Sequence, residues 1–465
     1  ASLPPSIGQL SSLKELSLRR CEKVTSIPDT LAGLTSLEKM DLSSSSIASL
    51  PPSIRHLSSL KELSLRECKN VTSITDTMTR LTSLEKMDLS WSSIASLPPS
   101  IGQLSSLKEL SLWGCTHVTS IPDTLAGLTS LEKMDLSSSS IASLPPSIGQ
   151  LSSLKELSLW KCEKLASIPD TLAGLTSLEK MNVSSSSVES LPQSIGQLSS
   201  LKELSLAGCN KFTSFPDTLA GMTSLEKMDL SESPIESLPQ SFGQLSSLKE
   251  LSICGCYKLN GLPDTLAGLT SLKKMDLLFL SITALPPSIG QLSSLKNLSL
   301  NGCNNLTSMP DTLAGLTSLE KLCLSRTSIS SPPPSIGQLA SLKRLLMYRC
   351  NQMTSFPATM DGLTSLEEFS LSESSIALLP PLLGQLSSLK KLSLRECSNL
   401  TSIPDSLAGL KSLENMDLSN TLIEPLPPWI GQLSSLKKLS LCGYKSKSIP
   451  ISITQNSNIR IISKD

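Results

Sequence analysis

The sequence predicts an α/β repeat solenoid, with a parallel β-sheet on its concave face and short 3-10 or α turns on its convex face. Three observations predict it. A 47-residue unit, seen cleanly from Leu107 to Ser153, recurs along the chain as two halves of 24 and 23 residues. Each half opens with apolar residues at relative positions 0, 3 and 5, as in Leu107, Leu110 and Leu112 and again in Leu131, Met134 and Leu136. Each half closes on a proline followed by a glycine, in S-I-P-D-T-L-A-G-L or S-L-P-P-S-I-G-Q-L.

The opening spacing predicts a short strand. Side chains alternate along a strand, so positions 3 and 5 point inward while positions 2, 4 and 6 face solvent. The apolar series resumes at Val118, Ile121, Leu125 and Leu128, then at Ile141, Leu144, Ile148 and Leu151. A unit this thin encloses no core alone, so copies must stack and bury one another's leucines. The first motif residue recurs from Leu13 through Leu37, Leu60 and Leu84 to Leu413, Leu436 and a degenerate Ile459. Residues 1–12 then read as a partial first repeat, 13–458 as one elongated array, and 459–465 as a degenerate last repeat. Because Ala1 falls inside a repeat, an upstream segment is expected to cover the open edge of the first strand. Ile459, Ile461 and Ile462, beside Lys464 and Asp465, predict a terminal strand whose end is charged against further pairing.

The proline fixes the backbone dihedral and removes a donor, which suits the entry to a turn, and the glycine lets that turn end. Only a few residues remain between them, enough for one 3-10 or α turn and no long helix. Narrow turns opposite narrow strands predict moderate curvature.

The strand motif L-x-x-L-x-L-x-x-C/S/T resembles that of the leucine-rich repeat family over essentially the whole chain. The outer motif refines the likeness. L-x-L-x-x-C-x-x-L-x-x-I-P, followed by L-x-L-S-x-T/S-x-I-x-x-L-P-x-S-I-G-x-L, resembles the repeats of plant intracellular nucleotide-binding immune receptors. Secreted plant receptors add an N-x-L-x-G-x-I-P segment that does not occur here. A G-x-x-x-x-G-K-[ST] loop is also missing, so the resemblance implies a recognition arm without the nucleotide-binding domain.

Composition narrows the partners. Lys plus Arg and Asp plus Glu both number 40, so bulk charge attracts neither nucleic acid nor an anionic membrane. No apolar run approaches membrane-spanning length, and no secretory leader is visible. Nine of twelve cysteines (Cys21, Cys68, Cys115, Cys162, Cys209, Cys256, Cys303, Cys350 and Cys397) hold position 8 of every second strand. Strands about 4.8 Å apart would place successive cysteines roughly 10 Å apart, beyond the ~7 Å reach of a disulfide. They are expected to be buried free thiols donating to backbone carbonyls, in a reducing, cytoplasmic setting rather than a secreted one. No histidine stands within ligand spacing of a cysteine pair, so neither a metal nor another cofactor is expected.

Charges form ladders. Position 1 alternates Lys14, Glu38, Lys61, Glu85, Lys108 and Glu132, while position 2 alternates Glu15, Lys39, Glu62, Lys86, Glu109 and Lys133. Opposite charges therefore face each other across neighbouring strands, each pair contributing about 0.2–1 kcal/mol, which suits register control and solubility. His56 and His117 lie on different repeats without a nucleophile pattern, so no catalytic residues are assigned.

Variation concentrates at positions 6 and 7, read as exposed and free of packing demands. Three of the four tryptophans fall there. The first candidate patch joins Arg19, Arg66, Trp91, Trp113 and Trp160, bordered by Arg20, Glu67 and Lys161, within roughly 30 Å on one face. A second comprises Cys254, Leu278, Phe279 and Leu280, for which local packing is the alternative. A third comprises Arg326, Arg344, Tyr348 and Arg349, suited to an acidic partner. Asn70, Asn182, Asn297, Asn305 and Asn399 begin N-x-S/T triplets, but Asn182 and Asn297 fall in strand positions, which argues against glycans. The expectation is a non-enzymatic module that binds a protein or peptide on its concave strand face. The resemblance implies the sensing arm of an immune-type receptor. The alternatives are a self-associating structural scaffold and an extracellular adhesion or receptor ectodomain.

Overall fold

The computed structural model describes residues 2–74, 76–444 and 449–463. The chain divides into two compact units, Ala1–Pro234 and Ile235–Asp465. Among the described residues each unit contributes ten three-residue strands, from Glu15–Ser17 to Lys227–Asp229 in the first and from Glu250–Ser252 to Arg460–Ile462 in the second. Within a unit each strand pairs in parallel with its sequence neighbours, in unbroken register. Lys86 stands opposite Glu109, Met87 opposite Leu110 and Asp88 opposite Ser111. The terminal strand is present, Arg460–Ile462 pairing with Lys438–Ser440; Lys464 and Asp465 lie outside the described residues.

The inward and outward assignment holds in both units. Leu107, Leu110 and Leu112 are buried, as are Val118, Ile121, Leu125 and Leu128, while Glu109 and Ser111 reach solvent. A fully buried leucine stabilises by about 1.5–3 kcal/mol, and each one here packs on the repeats either side of its own. Backbone pairing continues past the strand. Leu112 N–H donates to Asp135 O at 2.7 Å and Gly114 N–H to Ser137 O at 2.8 Å, after which Cys115 N–H closes a turn on Leu112 O.

The outer segments are 3-10 turns of three to five residues, such as Asp123–Gly127 and Pro146–Gln150, most of them entered from an extended proline, whereas Leu219–Gly221 is entered from Thr218. Their glycines are fixed by close approach. A β-carbon on Gly149 would stand 2.0 Å from Thr171 O, and one on Gly127 would stand 2.0 Å from Gly102 O. Arginine takes this place in two consecutive turns, Pro52–His56 and Asp76–Arg80. At residues 357–362, where Ala358 and Met360 break the P-D-T-L-A-G pattern, no 3-10 turn forms. Ile451–Thr454 is a short α-helix.

Every cysteine is a free thiol. Cys68 Sγ donates to Leu42 O at 3.0 Å, Cys115 Sγ to Leu89 O at 3.1 Å and Cys303 Sγ to Leu277 O at 3.0 Å. Ser92 Oγ lies 3.6 Å from Cys115 Sγ, so serines and thiols share one buried rung. Burial pushes these thiols up, Cys303 to about 11, because the thiolate loses its hydration. The charge ladders also form as expected. Lys108 reaches Glu85 at 2.8 Å in the position 1 row, and Lys86 reaches Glu109 at 2.6 Å in the position 2 row.

Candidate functional site

On the first unit, local structure sets the geometry at positions 6 and 7. Position 6 leaves the strand pointing outward. Position 7 adopts a left-handed backbone, with φ of 59° at Arg20, Glu67 and Trp91, 58° at Lys161 and 73° at Gly114. Position 7 is therefore a turn residue under backbone constraint, which corrects the reading of it as free. A bulky side chain there is uncommon, since the β-carbon crowds the following carbonyl. The sequence carried a signal for it in the glycines that recur at this register, Gly114, Gly208, Gly255, Gly302 and Gly443.

Three of the candidate residues form one cluster. The rings of Trp91 and Trp113 meet edge-on, with centroids 5.5 Å apart, and the Arg66 guanidinium lies 5.7 Å from the Trp113 ring. Trp91 is 43% exposed, and its backbone N–H donates to Trp113 O. Two repeats on, Lys161 Nζ stands 5.8 Å from the Trp160 ring. Glu67 touches both sides of the border. It lies 3.6 Å from Arg66 and accepts a hydrogen bond from Ser44 Oγ at 2.9 Å, which holds its carboxyl below the usual range.

Two hollows flank the aromatic cluster. A groove of about 540 Å³ crosses the strands, with Arg66 and Trp113 at its rim and Asp88, Ser111, Asp135 and Ser158 on its floor. Asp88 and Asp135 each accept the backbone N–H two residues on, from Ser90 and Ser137 at 2.9 Å, which fixes them as part of the turn. A second hollow of about 300 Å³ is lined by Trp91 and Lys161 together and so joins the two aromatic–cation pairs. Arg19 and Arg20 are exposed on their own repeat and, among the described residues, make no ring contact.

The second unit carries the other candidates. Phe279 is 52% exposed and lies over Gly302, whose β-carbon would stand 2.3 Å from the ring. Leu278 and Cys254 are half-buried, whereas Leu280 is buried and fills the rung of small residues, the packing role weighed for it above. Tyr348 sits between two guanidinium groups, Arg326 at 5.5 Å and Arg349 at 5.8 Å. Arg344 is held by Glu368 and Arg349 by Glu373, both at 2.6 Å, so these two arginines are neutralised within the chain. Arg326 makes no ion pair among the described residues.

Among the described residues each unit carries ten in-register strands with outer turns, and the family follows from its sequence model. A leucine-rich repeat region model matches residues 3–111, 87–181, 148–254 and 286–395, and a single leucine-rich repeat matches 388–410. The chain belongs to the leucine-rich repeat family. A leucine-rich repeat protein of Leptospira interrogans is similar over 83% of this chain and 98% of its own, at 29% identity and a TM-score of 0.69. A chain of the Drosophila Toll–Spatzle complex is similar over 84% of this chain and 55% of its own, at 22% identity and a TM-score of 0.72. A TDR receptor covers 99% of this chain and 87% of its own, at 22% identity and a TM-score of 0.58. No curated protein matches the chain.

Elsewhere in this leucine-rich repeat chain, His56 is exposed on an outer turn and accepts from Arg55 Nε at 3.2 Å, and His117 is exposed in a loop. Asn182 and Asn297 lie within strands, as their register implies. No described helix is long and apolar enough to cross a membrane.

Proposed function

We propose that this leucine-rich repeat chain is a non-enzymatic recognition module that binds a protein or peptide on the strand face of its first unit. The observation that carries the reading is the joined pair of aromatic–cation sites, Arg66 with Trp113 and Trp91, and Lys161 with Trp160, set between two hollows. Tryptophan and arginine dominate binding energy where partners are desolvated, because a large rigid surface is buried at small entropic cost. Paired lysine–glutamate ladders surround them, leaving the aromatic cluster as the feature that distinguishes this stretch of face.

The finer reading is the sensing arm of an immune-type receptor working in the cytoplasm. Its support is the repeat pattern shared with plant intracellular nucleotide-binding receptors, and the run of buried free thiols, which suits a reducing compartment. A chain of the same fold occurs in the Drosophila Toll–Spatzle complex, described as a hub in development and innate immunity.

Affinity capture with the intact chain, set against a Trp91→Ala, Trp113→Ala, Trp160→Ala triple variant, tests the reading. The variant is expected to lose the captured proteins. Equal recovery by both refutes the patch, and recovery of the chain's own copies alone supports a scaffold instead.

A further inference from the structure

One stretch of the second unit departs from the repeat pattern in every row at once, and the charge changes share a sign. In the position 1 row Lys273 stands where the alternation calls for glutamate. In the position 2 row Asn297 and Arg344 stand where it calls for glutamate, and in the position 4 row Cys323 replaces aspartate. Asn297, Cys323 and Arg344 stand in consecutive, directly paired strands, and Lys273 immediately precedes the strand Lys274–Asp276 that pairs with the first of them. Each change removes a negative charge or adds a positive one.

Glu368 neutralises Arg344, at 2.6 Å, but the remaining pairs do not cancel the excess. Lys296 and Lys343 both turn to the single carboxylate of Glu320, at 3.1 and 2.8 Å, and Lys274 turns to Asp276 on its own strand at 2.8 Å. Lys273 and Lys321 make no ion pair among the described residues. At the rim stand Phe279, Tyr348 and the Arg326 guanidinium. Arg326 Nε and Asn301 Oδ1 are both buried without a hydrogen-bond partner. A buried donor or acceptor left unmatched is costly; a carboxylate would match the Arg326 donor, and a peptide N–H the Asn301 acceptor.

We propose that this face binds an acidic peptide segment with an aromatic or apolar residue among its carboxylates. Lys273 and Lys321 attract the carboxylates, Arg326 supplies a fork geometry suited to one of them, and Phe279 with Tyr348 covers the apolar side chain. The strands involved span about 14 Å, the reach of roughly four residues of extended chain. A structureless polyanion would use the lysines and leave the aromatic rim unmatched. The surface lies in the other unit from the tryptophan cluster and stands or falls independently of it.

Two substitutions return residues the array uses elsewhere. Lys273→Glu restores the position 1 alternation, and Arg326→Ser restores the serine found at Ser44, Ser138 and Ser185. Both variants are expected to melt no lower than the parent, so lost binding would not be lost folding. The probe is a fluorescein-labelled peptide, Glu-Glu-Tyr-Glu-Leu-Glu-Glu, read by anisotropy at low salt against its all-glutamine counterpart. The intact chain is expected to bind the acidic form at least about tenfold tighter, and the double variant to lose about that factor. Trp113→Ala with Trp160→Ala should leave this binding unchanged. Equal binding of the glutamine peptide, or full affinity in the double variant, overturns the proposal. So does tighter binding of inorganic polyphosphate or single-stranded DNA than of the peptide.

Discussion

The indole of Trp91 lies across the backbone of Gly114 in the next repeat, so close that a β-carbon on that glycine would stand 2.6 Å from the ring. Phe279 and Gly302 repeat the arrangement in the second unit, at 2.3 Å. A large aromatic at the left-handed position is thus matched by a glycine beside it, which gives the ring a flat bed and an outward-facing edge.

Gly114→Ala places a methyl group into that ring on a backbone with φ of 73°. The left-handed conformation alone costs an alanine about 1–2 kcal/mol, and the displaced indole adds to it. Gly208, at φ 69°, faces only Ser185 Oγ at 3.2 Å. Gly114→Ala is therefore expected to lower the urea midpoint more than Gly208→Ala, and alone to shift the tryptophan emission.

The outer turns make a second steric prediction. Gly149→Ala would bring a β-carbon to 2.0 Å from Thr171 O, a backbone atom that moves only with its whole turn. Overpacking of this kind costs about 1–3 kcal/mol. Thermal melting is the check, and an unchanged midpoint would show that the turns can shift to admit a side chain at the place that Arg55 and Arg80 occupy in their own turns.

Much of this was legible from spacing alone. Leu107, Leu110 and Leu112 announced the strand and its buried side, and the cysteine interval excluded disulfides, because both follow from fixed strand geometry. The turn at position 7 was not read, although Gly114, Gly208 and Gly302 marked it, since exposure and backbone constraint look alike in a list of variable residues. Nor did the sequence show which cations pair. Arg344 and Arg349 are tied to Glu368 and Glu373, whereas Arg326 is not, and that depends on side-chain directions that register alone leaves open.

The thiol rung makes the stability pH-dependent with a definite sign. Burial in the fold raises the pKa of Cys303 from 9.0 to about 11, so the folded state holds its proton over a range where the unfolded chain has lost it. That contribution is complete below pH 9 and is lost as the pH climbs to about 11; for Cys303 it amounts to roughly 3 kcal/mol. Cys68, Cys115, Cys162 and Cys209 shift in the same direction. Urea titrations from pH 8 to 11 should show a falling midpoint, and Cys303→Ser should flatten the fall.

Arg66 and Trp113 should be energetically coupled. A double-mutant cycle of Arg66→Ala and Trp113→Ala is expected to give a coupling of about 0.5–1 kcal/mol in stability, the size of an exposed cation–π contact. A coupling near zero would mean that the two side chains present separate surfaces to a partner.

If the strand face of the first unit does the recognising, a bound partner covers its backbone amides. Hydrogen–deuterium exchange of the full chain, alone and with a captured partner, tests it most directly. Protection is expected in peptides spanning residues 86–92, 109–115 and 156–162, with the outer turns at 99–103 and 123–127 unchanged. Protection confined to the outer turns, with the tryptophan-bearing segments exchanging as before, would contradict it.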